Sequence, residues 1–278
     1  DQVTANMKFV ANEKDASSKA SDLEMNQANV TIATSVATSI VGRQTSATPF
    51  TANNGDTVST GITALIPAGP ATIAVAHYND RTSDGVYDDG ITGAGALFSV
   101  SGVNLEAWYA KANSTKTELT AFLASTKVGG IAISAHHAEL DDGSAGSDTT
   151  NTQITVSGKA GVASLFAAYA TTGNTSGSAT LDNDVDGKLI AGLETITTVQ
   201  EGVDAIVVGV SLPVGPVKAS LTYLDADVID ANAAVTGTSA SEYKIAVSYK
   251  MAKNFALSAW YDVADLGTGT DTEKSRIE

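Results

Sequence analysis

The chain contains no cysteine, few aromatic residues, few basic residues and no long apolar run. Without cysteine there can be no disulfide, thiolate nucleophile or cysteine-ligated zinc. Lys and Arg total 16 against 31 Asp and Glu, and a net charge of −15 opposes a phosphate backbone, so we expect no nucleic-acid partner. The missing apolar run excludes a membrane-spanning helix, but it does not exclude membrane-spanning strands, which hide half of their residues from lipid.

What the chain does have is alternation of apolar and polar residues. Residues 242–262 read EYKIAVSYKMAKNFALSAWYD, and their apolar residues recur at every second position on both sides of the break at 251–254. This period of two is typical of two strands joined by a tight turn. The same pattern recurs about sixteen times between residue 3 and the last strand near Lys274, and no segment has the pattern of an amphipathic helix.

Short and long connections alternate along the whole chain. Tight turns are predicted at 35–37, 67–70, 101–103, 127–130, 158–161, 213–216 and 251–254. Longer polar connections follow at 12–27, 46–56, 80–90, 112–117, 140–151, 171–204, 226–241 and 264–274. An up-and-down membrane barrel places all its tight turns on one side and its long loops on the other, whereas a sandwich with Greek-key crossings has no reason to do so.

The predicted fold is therefore all-β, a transmembrane antiparallel up-and-down β-barrel of about 16 strands that forms a single domain over residues 1–278. A barrel of this size leaves a water-filled channel. We expect an outer-membrane channel, in contact with outer-membrane lipid, for passive diffusion of ions and small hydrophilic solutes. Aromatic residues make up only 6% of the chain, so the girdles at the membrane interfaces should be thin.

Three segments carry a resemblance to a known family. They are VATSIVGRQ at 36–44, DGKLIAGLE at 186–194 and NFALSAWYDVADLGTGTDTEKSRIE at 254–278. On these segments and on the order of turns and loops, the chain resembles the major outer membrane protein, a porin, of Campylobacter and its relatives. The resemblance implies a homotrimer of 18-stranded barrels. Residues 1–11 resemble the third strand of that family, so this chain is expected to lack the first strands and the end of the last.

Charged residues in the strands fix which row should face water. A basic side chain that faces hydrocarbon near the bilayer midplane costs about 2–4 kcal/mol, so the row carrying charge should face the lumen. In the segment 242–262, we expect the row of Lys244, Ser248 and Lys250 to face the lumen. The row of Tyr243, Ile245 and Val247 should face lipid. The predicted pore-lining residues are Lys8, Arg43, Glu106, Glu118, Lys159, Lys218, Lys244 and Asp262.

The loop NDRTSDGVYDDG at 79–90 gathers carboxylates that could narrow the pore. Asp80, Asp84, Asp88 and Asp89 at a constriction would favour cations and could hold a divalent ion such as calcium. An exposed, solubilising loop explains the same residues. On the first interpretation the channel is weakly cation-selective.

Other candidate sites have simpler explanations. DNDVDGKLIAGLE at 182–194 approaches a calcium loop, but Leu193 stands where the bidentate Glu belongs, so a solvated acidic loop is preferred. His136 and His137 are adjacent and should point to opposite faces of a strand, which disfavours a shared metal. No nucleophile elbow or nucleotide fingerprint occurs, so we predict no enzyme and no other cofactor. The alternative function is a secreted or surface-layer β-rich adhesin-type structural protein, and solubility without detergent would favour it.

Overall fold

A computed structural model describes residues 1–12, 22–45, 58–79, 90–113, 116–141, 143, 149–173, 203–228, 239–252, 255–267 and 271–277. These residues form sixteen strands. The strands are β1 Gln2–Asn12, β2 Asp22–Ala33, β3 Thr38–Thr45, β4 Val58–Ala68, β5 Ala71–Asn79, β6 Ile91–Val100, β7 Val103–Ala112, β8 Glu118–Val128, β9 Ile131–Asp141, β10 Thr149–Ala160, β11 Ala163–Thr172, β12 Val203–Val214, β13 Val217–Val228, β14 Ser239–Ala252, β15 Phe255–Asp265 and β16 Asp271–Ile277. None of the described residues forms a helix that could span a membrane.

All the strands belong to one sheet in which each strand pairs antiparallel with its neighbours in sequence, from β1 to β16. The predicted all-β, up-and-down fold of about 16 strands is confirmed. The seven predicted tight turns join β2 to β3, β4 to β5, and so on to β14 and β15. Since every second connection of an antiparallel meander lies at the same edge, all seven lie on one rim, called here the turn side, and the long connections lie on the loop side.

The tight turns use residues that tolerate a left-handed backbone. Gly129 and Gly130 have φ of 58° and 88°, and Ser101 and Gly102 have φ of 53° and 81°. Two-residue hairpin loops with positive φ at both positions match the right-handed twist of the flanking strands. The glycines therefore favour tight closure of the hairpins on the turn side.

The two faces of the sheet differ sharply in burial. One face, called here the packed face, carries fully buried small residues such as Ala110, Ala121, Ala138 and Ala170. The other, the exposed face, carries large apolar side chains that are 38–49% exposed on most strands, for example Ile245 at 49%. Since cross-strand partners share a face, the pairing of Ala110 with Leu119 and of Ile245 with Tyr261 extends each face from strand to strand.

Aromatic rings cover glycines on the packed face. An added β-carbon would meet the ring of Trp108 at Gly95 and the ring of Phe166 at Gly209. Both are directly paired positions on neighbouring strands. In a single-layer sheet, side chains converge on the concave side and diverge on the convex side, so the crowding identifies the packed face as the concave one.

Candidate functional site: the charged inner wall

Six of the eight predicted pore-lining residues share the packed face. They are Lys8, Glu106, Lys159, Lys218, Lys244 and Asp262. The register carries this face across strands, since Thr222 pairs with Lys244 and Lys244 pairs with Asp262. Their counterparts Leu221, Tyr223 and Ile245 lie on the exposed face, as the period of two predicted.

Arg43 does not lie with these residues, so that prediction is wrong. Arg43 pairs with Thr60, and on the same row Val41 pairs with Ile62, which is 46% exposed. The packed position on β3 belongs to Gln44, whose Nε2 donates to the carbonyl oxygens of Ile40 and Gly61, each at 3.2 Å. The short strand carries Ile40 and Val41 on opposite faces, so hydrophobic alternation could not fix its phase.

Glu118 is a second correction, because it lies on the exposed face. It pairs with Lys111 across β7 and β8, and the Lys111 ammonium donates a short hydrogen bond to its carboxylate. On β8 the packed row is Leu119, Ala121 and Leu123, while Phe122 is 53% exposed. Each row of this strand mixes apolar and polar residues, so alternation does not determine its phase, and the pairing of Glu118 with Lys111 appears only in the register.

Four packed-face charges were missed from the sequence. Lys127, Glu242, Lys274 and Arg276 join this face through their cross-strand partners, and Lys250 lies there in the predicted row with Lys244. Lys274 and Arg276 alternate with Glu273 and Ser275, so a period-two reading of β16 could have found them. Glu242 is fully buried beside Leu224, a position that only the register reveals.

The densest charge cluster lies on β14 to β16. Lys244, Asp262 and Lys274 are consecutive cross-strand partners, and Asp262 is fully buried. The Lys244 Nζ lies 4.8 Å from the ring centroid of Trp260, within the range of a cation–π contact. The basic residues of the packed face are Lys8, Lys127, Lys159, Lys218, Lys244, Lys250, Lys274 and Arg276. Its carboxylates on β3 to β16 are Glu106, Glu242 and Asp262. Among the described residues this face is therefore positively charged, although the chain is strongly acidic.

Carboxylates gather instead on the exposed face near the loop side. They are Glu118, Glu139, Asp141, Asp204, Asp225, Asp227, Asp265, Asp271 and Glu273. A row of tyrosines lies two residues deeper on the same face, and each of them is 39–43% exposed. They are Tyr109, Tyr169, Tyr223, Tyr243 and Tyr261. Tyrosines at this position are typical of a membrane interface.

Tyr78 does not belong to this row of tyrosines, because it lies on the packed face. It is 1% exposed on the packed face, where its hydroxyl forms a 2.8 Å hydrogen bond with the hydroxyl of Thr63. Its ring lies against Gly61 on the neighbouring strand. Because Gly61 has no side chain, the ring occupies the space that a β-carbon would take there.

The acidic loop candidates lie outside the described residues. They are Asp80, Asp84, Asp88 and Asp89, with the calcium-loop candidates Asp182, Asp184 and Asp186. Within the described ranges, no group of three or more His, Asp or Glu side chains could hold a metal ion. His136 and His137 do point to opposite faces, with His137 bonded to Thr152 at 2.8 Å on the exposed face.

The assignment of the two faces can be tested with single cysteines, because the natural chain has none. We expect a thiol at Lys244→Cys to react with a small, charged, membrane-impermeant maleimide, since the lining of a water-filled channel is open to such a reagent. A thiol at Ile245→Cys should resist that reagent and react with a lipid-soluble one. Both variants should be studied in reconstituted membranes. Reversed reactivity would show that the exposed face lines the channel.

Comparisons with known proteins bear on this architecture. Among solved structures, Pseudomonas aeruginosa OpdQ has a TM-score of 0.67 at 14% identity, covering 92% of this chain and 81% of that one. The outer membrane protein OprD from Pseudomonas aeruginosa has a TM-score of 0.66 at 11% identity, covering 92% and 78%. Acinetobacter baumannii OccAB4 has a TM-score of 0.66 at 12% identity, covering 90% and 72%. At these identities the likeness shows the fold alone. No curated protein sequence matches.

The sequence itself also matches a family model. The model described as Gram-negative porin matches residues 1–268, which is nearly the whole chain. The match agrees with the single sheet of sixteen antiparallel strands and with a charged, packed face opposite an apolar, exposed one. The chain belongs to the Gram-negative porin family, and it is an outer-membrane channel for small solutes.

Proposed function

We propose that the packed face lines the water-filled channel and that the channel prefers cations weakly. The observation that supports the lining is the separation of side chains between the two faces, with Lys218 and Lys244 on one and Leu221 and Ile245 on the other. Lipid can accept the second set but not the first, because a basic side chain near the midplane costs about 2–4 kcal/mol.

The proposed preference for cations must come from residues outside the packed face. Basic residues outnumber carboxylates on the described packed face, and by itself that wall would favour anions. Part of its positive charge is offset within the cluster on β14 to β16, where buried Asp262 stands between Lys244 and Lys274 in the register. We assign the remaining negative charge to the loop between β5 and β6, which carries Asp80, Asp84, Asp88 and Asp89 against one Arg81.

The same loop is the proposed place for a divalent cation such as calcium. Carboxylate oxygens are the ligands that calcium prefers, and four carboxylates occur within ten residues. We also propose, on the resemblance of residues 36–44 and 254–278, that the nearest functional relative is the major outer membrane protein of Campylobacter and that the channel is a homotrimer. The family and the fold indicate a channel rather than an enzyme.

Selectivity can be measured directly in planar lipid bilayers. With a tenfold gradient of potassium chloride across the membrane, we expect step-like conductance and a reversal potential of the sign for weak cation preference. The preference should weaken as salt rises, because the screening length falls from about 10 Å at 0.1 M to about 3 Å at 1 M. A reversal potential of the opposite sign would show that the basic wall decides selectivity and would overturn the proposed preference.

A further inference from the structure

A cleft opens on the packed face of β7 to β10, close to the turn side. Its volume is about 320 Å³, at the lower end of the range for small-molecule sites. Hydroxyl and amide side chains from four adjacent strands line it, with one lysine at the end nearest the turns. They are Asn104, Ser125, Ser134, Thr155 and Ser157, and the lysine is Lys127.

The register assembles these polar side chains into one row across the sheet. Asn104 pairs with Ser125, Ser125 with Ser134, and Ser134 with Thr155. The four strands are spaced roughly 5 Å apart. A sugar ring carries hydroxyl groups around its whole edge, so it can form hydrogen bonds with several members of this row, called here the hydroxyl row.

The side chains of the hydroxyl row are available to a ligand. Gln153 Nε2 donates to Thr155 Oγ1 at 3.3 Å, which leaves the hydroxyl hydrogen of Thr155 to be donated outward. Within the described part of the chain, the side chains of Asn104, Ser125 and Ser134 form no hydrogen bond. A ligand would therefore replace water in the cleft and would break no bond of the protein.

Two lysines border the cleft at its turn-side end. Lys127 and Lys159 are the penultimate residues of β8 and β10, and both lie on the packed face. Their Cα atoms are separated by two strand spacings, roughly 10 Å, and by two residues along the strand, roughly 7 Å. Because lysine has a flexible four-carbon stem, both ammonium groups can reach one anion between them. Neither ammonium has an ion pair among the described residues.

The surrounding rim carries no competing negative charge. On β2 to β15, no Asp or Glu lies within two residues of the turn-side end of a strand. The nearest packed-face carboxylate is Glu106, two residues beyond Asn104 on β7, where it accepts a 2.9 Å hydrogen bond from Trp108 Nε1. An anion would therefore be attracted to the turn-side end of the cleft and repelled from its deeper end.

We propose that this cleft binds a phosphorylated monosaccharide, with its phosphate at Lys127 and Lys159 and its sugar hydroxyls on the hydroxyl row. A phosphate monoester carries a charge of about −1.5 to −2 at pH 7, which two ammonium groups balance. The short turns of such a barrel face the periplasm, so the site lies at the inner mouth of the channel. The inference rests on the proposed lining of the channel by the packed face, and not on the direction of its ion selectivity.

The test measures block of the current through the full chain in planar bilayers by glucose 6-phosphate, glucose or inorganic phosphate. We expect glucose 6-phosphate to block at lower concentration than either of the others. Lys127→Gln with Lys159→Gln should raise its half-blocking concentration at least tenfold, since loss of a charge-assisted hydrogen bond typically costs that much. Ser125→Ala with Ser134→Ala should raise it as well, but should leave block by inorganic phosphate unchanged.

Lys218→Gln with Lys250→Gln is the matched control, because it removes the same charge from the same rim. Lys218 is three strand spacings from Lys159, roughly 14 Å, which exceeds the screening length of about 8 Å at physiological salt. At that salt concentration we expect the control to bind glucose 6-phosphate as the wild type does. An equal loss of affinity in the control would overturn the proposal. Equal block of the wild type by inorganic phosphate and glucose 6-phosphate would also overturn it.

A cysteine at the centre of the hydroxyl row separates this inference from the lining of the channel. Ser134→Cys should react with a positively charged, membrane-impermeant thiol reagent, and glucose 6-phosphate should slow that reaction. A reaction that glucose 6-phosphate does not slow would overturn the sugar-phosphate site and leave the lining intact. If the thiol did not react at all, the packed face would not meet water, and both proposals would be wrong.

Discussion

Gly61→Ala should prevent assembly of a stable barrel. A β-carbon at this position would overlap the backbone carbonyl oxygen of His77 and lie 2.8 Å from the Cα of Tyr78, so the obstruction is backbone of the paired strand and cannot rotate away. The strands would have to separate where Gly61 pairs with Tyr78, and the 2.8 Å bond from Tyr78 to Thr63 would be disturbed as well. We expect a loss of about 3 kcal/mol or more in unfolding free energy.

The measurement is the fraction of refolded protein that shows heat-modifiable mobility in detergent gels, together with its midpoint of thermal unfolding. Gly158→Ala is the matched control. There the nearest atoms to an added β-carbon are 3.4 Å or more away, which is ordinary contact, so the control should fold as the wild type does. A Gly61→Ala protein that folds with an unchanged midpoint would mean that the close approach of β4 and β5 does not occur.

Neutralising the acidic loop should change ion selectivity more than neutralising the acidic rim. With Asp80, Asp84, Asp88 and Asp89 all changed to Asn, we expect the reversal potential under a salt gradient to move towards anions, because the basic packed face then dominates. The shift should be largest at low salt, where screening is weakest. It should reach a reversal of sign if the loop supplies the whole preference for cations.

The control removes the same number of carboxylates from the exposed face. Changing Glu139, Asp141, Asp225 and Asp227 to Asn or Gln should leave the reversal potential nearly unchanged, because these side chains point away from the packed face. Equal shifts in the two variants would indicate a general effect of net charge at the channel mouth. An unchanged reversal potential in the loop variant would remove residues 80–89 from the constriction.

Much of the fold follows from the sequence because two independent signals, the alternation within strands and the residues at turns, indicate the same strand boundaries. The period of two recurs in most strands, and each tight turn is marked by glycine, proline or a small polar residue. Together these determine the number of strands, their order and the edge at which each hairpin closes. The phase of β13 and β14 is equally clear, since Lys244 and Ile245 cannot exchange faces without placing charge in hydrocarbon.

The sequence by itself therefore determined the strand count, the meander and the side of most charges, because in a sheet each of these depends on neighbouring residues along one chain. The tertiary structure alone decided the faces of Arg43 and Glu118, the burial of Tyr78 and Glu242, and the collection of carboxylates on one sector of the rim. These depend on which residue of the next strand stands opposite. In β3 and β8 both rows mix apolar and polar residues, so only the pairing of Arg43 with Thr60 and of Glu118 with Lys111 determines the direction of these side chains.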